Sequence, residues 1–183
     1  LQTPTGTELD HSSWHRVQAP ESQPSSTEGA PDLSEVKGQA LARRALEIAA
    51  AVRPHVGAVK VGKELFVAEG PAFVRQLRSD AVPVFLDLKF HDIPNTVAGA
   101  VRAALPLNPV LLTVHASGGP AMMKAAADVV REAGETRPRV VGVTVLTSLN
   151  DADLDAVGQR GAALDQVLRL AALAQKSGLD GVV

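Results

Sequence analysis

FLDLKFHDIPNT (residues 85–96) carries two signals at once. Its first half reads as a strand. Side chains two apart share a face, so Phe85, Asp87 and Lys89 point one way and Leu86, Leu88 and Phe90 the other. The second set is apolar and suits a covering layer of helices. The first puts a carboxylate and an ammonium on the opposite face, near the C-terminal end of the strand. Asp92 follows in the loop. Pro94 then opens a helix at a position where its missing N–H costs nothing, and Thr96 falls in the first helical turn with its hydroxyl in reach of a ligand.

The same strand-then-helix signature repeats on both sides of this segment. Leu41, Ala45, Ile48 and Val52 recur at helical spacing and predict a helix over 38–53, stopped by Pro54. VGAVKVG (56–62) reads as a strand, PAFVRQLRSD (71–80) as a helix opened by Pro71, VPVFLDLKF (82–90) as a strand and PNTVAGAVRAAL (94–105) as a helix. PVLLTVHA (109–116), RVVGVTVLT (139–147) and GLDGVV (178–183) supply further strands. GPAMMKAAADVVREAG (119–134), a short segment near 151–157 and a longer one near 162–177 read as helices. Alternation of this kind implies parallel strands with helical crossovers. The strands are apolar throughout, as expected when both faces are covered. A doubly wound sheet and a (β/α)8 barrel both fit, the barrel only as a partial one, since a complete barrel takes eight strands and about 250 residues.

The 183 residues hold 18 Lys+Arg against 20 Asp+Glu and no Cys. The near-neutral balance argues against a nucleic-acid partner held by a basic surface. The lack of Cys excludes disulfides, thiolate metal sites and a Cys nucleophile. No apolar run approaches the ~20 residues of a membrane span, and the polar opening LQTPTGTELDHSSWH has no signal-peptide core. The expectation is a cytoplasmic domain without a membrane partner. Residues 1–37, rich in Ser, Thr, Pro, Gln and Glu, predict a disordered polar extension in which only Trp14 has an apolar body to dock.

Lys60, in VKVG one strand before Asp87, falls at the matching strand end. Lys60, Asp87, Lys89 and Asp92 therefore predict an array of alternating charge, each group neutralising its neighbours. Such a group is costly to assemble in a cleft and marks a candidate functional site. An ion-pair cluster closing a barrel mouth is the purely structural alternative.

KVGKELF (60–66), FLDLKFHDIPNT (85–96), VHASGG (114–119), VTVLTS (143–148) and GLDGVV (178–183), in this order and at these separations, resemble orotidine 5'-phosphate decarboxylase of the bacterial type. The D-x-K-x-x-D-I-P-N-T string is the specific part. The resemblance runs from residue 38 to the end and implies a (β/α)8 barrel. It implies the loss of CO2 from orotidine 5'-monophosphate to give UMP, the last step of de novo pyrimidine synthesis, with no metal and no organic cofactor. By the same resemblance Lys89 is the proton donor to C6 of the pyrimidine, Asp87 lies against the substrate carboxylate, and Lys60 contacts the ribose. Asp92, Ile93 and Thr96 belong to the segment lent to a neighbouring subunit, which makes a homodimer the functional unit. Thr147 and Ser148 read the edge of the base.

Two family features are not visible. The family's first strand ends in A-L-D, and only Asp32 in GAPDL stands near that place. Its phosphate-gripping loop and Arg fall beyond residue 183. The expectation is a chain incomplete at both ends and inactive, or nearly so, on its own. The alternatives are a Mg2+-dependent sugar-phosphate enzyme of the same superfamily, which shares D-x-K-x-x-D but not the following P-N-T, and a non-catalytic chain that only dimerises.

The remaining polar residues have simpler readings. His11 and His15 lie in the polar extension with no third ligand near. His91 and His115 read as makers of structural hydrogen bonds. Gly118-Gly119-Pro120 lacks the spacing of a phosphate loop and reads as a tight turn into a helix. Met122 and Met123 read as core and its flank, and Arg43-Arg44 as a solvated helix face.

Overall fold

The computed structural model describes residues 40–183. The extension predicted over 1–37, with His11, Trp14, His15 and Asp32, lies outside them. The elements in order are α1 (Ala40–Val52), β1 (Val59–Gly62), α2 (Lys63–Ser79), β2 (Val84–Phe90), α3 (Pro94–Ala104), β3 (Leu111–His115), α4 (Gly119–Glu132), β4 (Arg139–Val143), α5 (Asp151–Ala156), α6 (Ala163–Lys176) and β5 (Gly181–Val182). The strands form one parallel sheet in the order β1-β2-β3-β4-β5. Every crossover steps to the next neighbour in the same direction. A doubly wound sheet needs a reversal of strand order, so the arrangement is that of consecutive units of a (β/α)8 barrel. Among the described residues no helix is long and apolar enough to cross a membrane.

The helices pack on the sheet through aliphatic side chains. Val61, Val84, Leu86, Leu112, Val114 and Val140 are inaccessible to solvent, as are Met122 and Met123 of α4. Each such burial contributes about 1.5–3 kcal/mol before entropy is counted. Both methionines are core, whereas one was expected at the flank. Gly142 of β4 lets α6 approach: a Cβ there would stand 3.2 Å from the Ala174 Cβ and 3.1 Å from the Leu179 Cδ1.

Several boundaries differ from the sequence reading. The buried face of α1 is Ala42, Leu46 and Ala49, and Ile48 is 49% exposed. In an alanine-rich helix the apolar stripe is ambiguous, and the helix that docks against it, α2, selects the face. Helix α2 starts directly after β1, eight residues before Pro71. Gly70, at φ 67° and ψ −173°, breaks it into two arms. The Gly-Pro pair marked the second arm and concealed the first. Strand β4 ends at Val143 rather than at 147, because its partner β3 ends at His115, opposite Val143, and β5 pairs only with Val141 and Gly142. Helix α5 is fixed by reciprocal capping: the Asn150 side chain accepts from the Asp153 N–H, and the Asp153 carboxylate accepts from the Asn150 N–H, both at 3.0 Å.

An ion pair ties the other end of the sheet together. Arg137 donates two hydrogen bonds to Asp180, at 2.6 and 2.7 Å, and the Val140 N–H donates a third at 2.8 Å. This joins the start of β4 to the start of β5. Burial pushes the Asp180 carboxyl up, but the Arg137 and Val140 hydrogen bonds and the charges of Arg137 and Arg139 hold it below the usual carboxylate value. A lowered carboxylate contributes stability above its unfolded value of about 4, and that contribution is lost as pH falls through its folded value. Asp180→Asn is therefore expected to cost about 2–3 kcal/mol at pH 7. Urea melts should show the gap between variant and wild type closing as the solution is acidified below pH 4. Gly142→Ala should cost about 1–3 kcal/mol by the same measurement, because the backbone-fixed Ala174 Cβ cannot swing aside.

Candidate active site

Strands β1, β2 and β3 bring the site together at their C-terminal ends. Gly62 pairs with Asp87, and Lys60 with Phe85. The Lys60 ammonium reaches to 3.3 Å from Asp87 Oδ2. The Lys89 ammonium donates to the same oxygen at 2.6 Å. The other oxygen, Oδ1, accepts from the Thr113 hydroxyl at 3.0 Å. Asp87 is thus the floor of the site, with its side chain 9% exposed, while the Lys89 and Lys60 side chains are 27% and 55% exposed. Burial pushes the Asp87 carboxyl up. Hydrogen bonds from Lys89, Thr113 and Lys60, with the charge of Lys89, outweigh it and leave the group below its usual value.

Regular alternation does not place these groups. Between Leu86, which pairs with Leu112, and Phe90, which pairs with Val114, the register shifts. Strand β2 spends four residue steps where β3 spends two. Lys89 sits inside this bulge at φ 51°, a conformation rarely adopted by a residue with a side chain. Its N–H donates to the Thr113 hydroxyl at 2.8 Å. Gly62 matters for Lys60 in a similar way, since a Cβ at that position would stand 3.1 Å from the Lys60 ammonium.

Asp92 does not join the cluster, which corrects the expected four-charge array within one chain. It is exposed, makes no ion pair among the described residues, and its Oδ1 accepts from the Ile93 N–H at 2.6 Å. Ile93 precedes the first turn of α3 and is 66% exposed. Thr96 lies in that turn, also exposed. Thr147 and Ser148 are not at a strand end. They are the exposed centre of a turn closed by the Leu149 N–H donating to the Leu146 carbonyl at 2.9 Å, on the side of the sheet toward which the strands run.

The two histidines make no hydrogen bonds among the described residues, contrary to expectation. Their rings contact each other at 5.3 Å between centroids. Burial, and then the charges of His91, Lys63 and Lys89, push His115 below its usual value, which leaves it neutral at pH 7. The Ala116–Gly118 turn leads into α4 with Gly119 at φ 86°, so the Gly-Gly-Pro segment is a tight turn. Thr113 was missed altogether. The signal was a hydroxyl alone in the apolar strand LLTVH, since a buried hydroxyl demands a partner.

The family model described as orotidine 5'-phosphate decarboxylase / HUMPS family matches residues 26–183. The chain belongs to this family. It is 53% identical over 144 residues to the orotidine 5'-phosphate decarboxylase of Rhodospirillum rubrum, an overlap of 76% of this chain and 58% of that protein. It is 54% identical over 142 residues to that of Sodalis glossinidius, covering 78% of this chain and 56% of the relative. The chain therefore spans less than two thirds of the length of these curated relatives. Among solved structures, orotidine 5'-phosphate decarboxylase from Lactobacillus acidophilus superposes with a TM-score of 0.62 at 43% identity, covering 68% of this chain and 57% of that one. An uncharacterised conserved protein from Geobacillus kaustophilus superposes with a TM-score of 0.68 at 41% identity, covering 75% and 67%. The D-x-K-x-x-D-I-P-N-T string of this family member lies in the bulged strand and the helix start that follows it.

Carboxyl-carbon NMR should find Asp87 titrating below the usual carboxylate range. In Lys89→Ala, which removes a hydrogen bond and a positive charge together, the midpoint should rise. An unchanged midpoint would show that Lys89 does not hold the carboxylate ionised.

Proposed function

We propose that this chain carries the decarboxylation site of an orotidine 5'-phosphate decarboxylase, a carboxy-lyase acting on orotidine 5'-monophosphate to release CO2 and UMP. The observation that carries the reading is a floor carboxylate hydrogen-bonded by Lys89 and approached by Lys60 at the strand ends, within the D-x-K-x-x-D-I-P-N-T string.

The chemistry follows from the charges. A substrate carboxylate seated beside Asp87 meets a like charge in a partly dry site, and this repulsion is relieved as CO2 departs. The bond from C6 to the carboxyl carbon breaks and its electron pair stays on C6. The Lys89 ammonium stabilises that developing charge and then gives C6 its proton. Lys60, more exposed and on the neighbouring strand, is suited to the ribose. Thr147 and Ser148, in their exposed turn, are suited to the edge of the base.

Asp92, Ile93 and Thr96 form a contiguous exposed segment that points to no group of their own cluster. In this reading they are contributed to the site of a second copy, so the functional unit is a homodimer. The P-N-T after the last Asp favours this reaction over Mg2+-dependent chemistry on a sugar phosphate.

The test uses the purified chain with orotidine 5'-monophosphate, following loss of the orotidine chromophore and release of CO2. Whatever turnover the chain supports is expected to fall at least about 10³-fold in Lys89→Ala. Titration with UMP should also shift the NMR signals of Lys60, Asp87 and Lys89. Absence of both turnover and these shifts overturns the reading, and turnover of a sugar phosphate that stops on chelation of Mg2+ replaces it.

A further inference from the structure

We propose that Thr113 is the positioning residue of the site: one hydroxyl on β3 ties the backbone of Lys89 to the carboxylate of Asp87, so that β3 sets the spacing between ammonium and carboxylate. The hydroxyl has one proton and two lone pairs. It accepts from the Lys89 N–H at 2.8 Å, and its proton is then directed to Asp87 Oδ1 at 3.0 Å. Both bonds cross from β2 to β3 where the regular strand pairing is interrupted, between Leu86 and Phe90. In the bulge the Lys89 N–H is met by the Thr113 hydroxyl.

The arrangement also accounts for the backbone of Lys89. A lysine at φ 51° is held there only when its surroundings over-determine it. The constraints are the Thr113 bond on its N–H and the Asp87 bond on its ammonium, one at each end of the residue. Thr113 is 1% exposed, so bulk water does not compete for its hydroxyl. Valine fills the same volume yet leaves the Lys89 N–H and Asp87 Oδ1 without partners. Serine keeps both bonds. Thr144 is the matched control: it is also buried, and its hydroxyl donates to the Val183 carbonyl rather than to the site.

The consequence for turnover rests on the decarboxylase reading, whereas the geometric claim does not, and the experiment separates them. Thr113→Val, Thr113→Ala, Thr113→Ser and Thr144→Val are made in the 183-residue chain, and folding is checked by circular dichroism and melting. In folded Thr113→Val or Thr113→Ala, the Lys89 amide should exchange roughly tenfold faster, the loss of one hydrogen bond, and the Asp87 carboxyl midpoint should rise. Thr113→Ser should restore both, and Thr144→Val should change neither. With orotidine 5'-monophosphate, the valine variant should lose kcat with KM nearly unchanged, and serine should recover it.

The proposal is overturned if a folded valine or alanine variant keeps wild-type exchange and titration, or if folded Thr113→Ser behaves as valine does. Failure of the valine and alanine variants to fold leaves serine to decide it. Wild-type chain with neither turnover nor UMP-induced shifts, but with the exchange and titration effects present, upholds the proposal and counts against the decarboxylase reading alone.

Discussion

One carboxylate organises the site. Asp87 is nearly buried, and a charge in that position is tolerable only if it is neutralised and fully hydrogen-bonded. Lys89 and Lys60 meet one of its oxygens and Thr113 the other. Remove the charge and two ammonium groups are left facing each other at the mouth of the sheet. Remove the lysines and an anion is stranded among valines and leucines. Each part is unfavourable alone and stable together, which is why the strand departs from regular geometry here and keeps it elsewhere.

The cost of that departure is placed where the surrounding structure can hold it. The bulge in β2 puts Lys89 at a positive φ, while the residues before it remain in register with β1 and β3. Below the bulge lies an apolar core of valines, leucines and methionines. At the opposite end of the sheet the Arg137–Asp180 pair, with the Val140 N–H, fastens β4 to β5. The polar groups therefore divide between two ends of one sheet. Those at the strand starts are saturated by one another and serve stability. Those at the strand ends keep ammonium groups partly open to solvent.

Family membership and site geometry support each other without being the same argument. The family match rests on order and identity along most of the chain. The geometry rests on three strands delivering Lys60, Asp87, Lys89 and Thr113 to one place. Asp92, Ile93 and Thr96 belong to the recognisable string, yet they lie exposed outside the cluster. A single chain uses half of the string for its own site and presents the other half outward.

Much was legible in the residues alone because the relevant forces act over short stretches. Apolar strands alternating with amphipathic helices dictate parallel crossovers, and D-x-K puts a carboxylate and an ammonium within one side chain's reach of each other. The lone hydroxyl of LLTVH was also there to be read. Other features arose only when distant segments met. Thr113 bonds to a residue 24 positions away, the bulge exists as a mismatch between two strands, and the buried face of α1 was chosen by the helix docked against it. β4 likewise ended where its partner strand ended. Local periodicity cannot encode such choices, since a hydrogen bond across strands, or a register shift between them, has no meaning until both partners are in place.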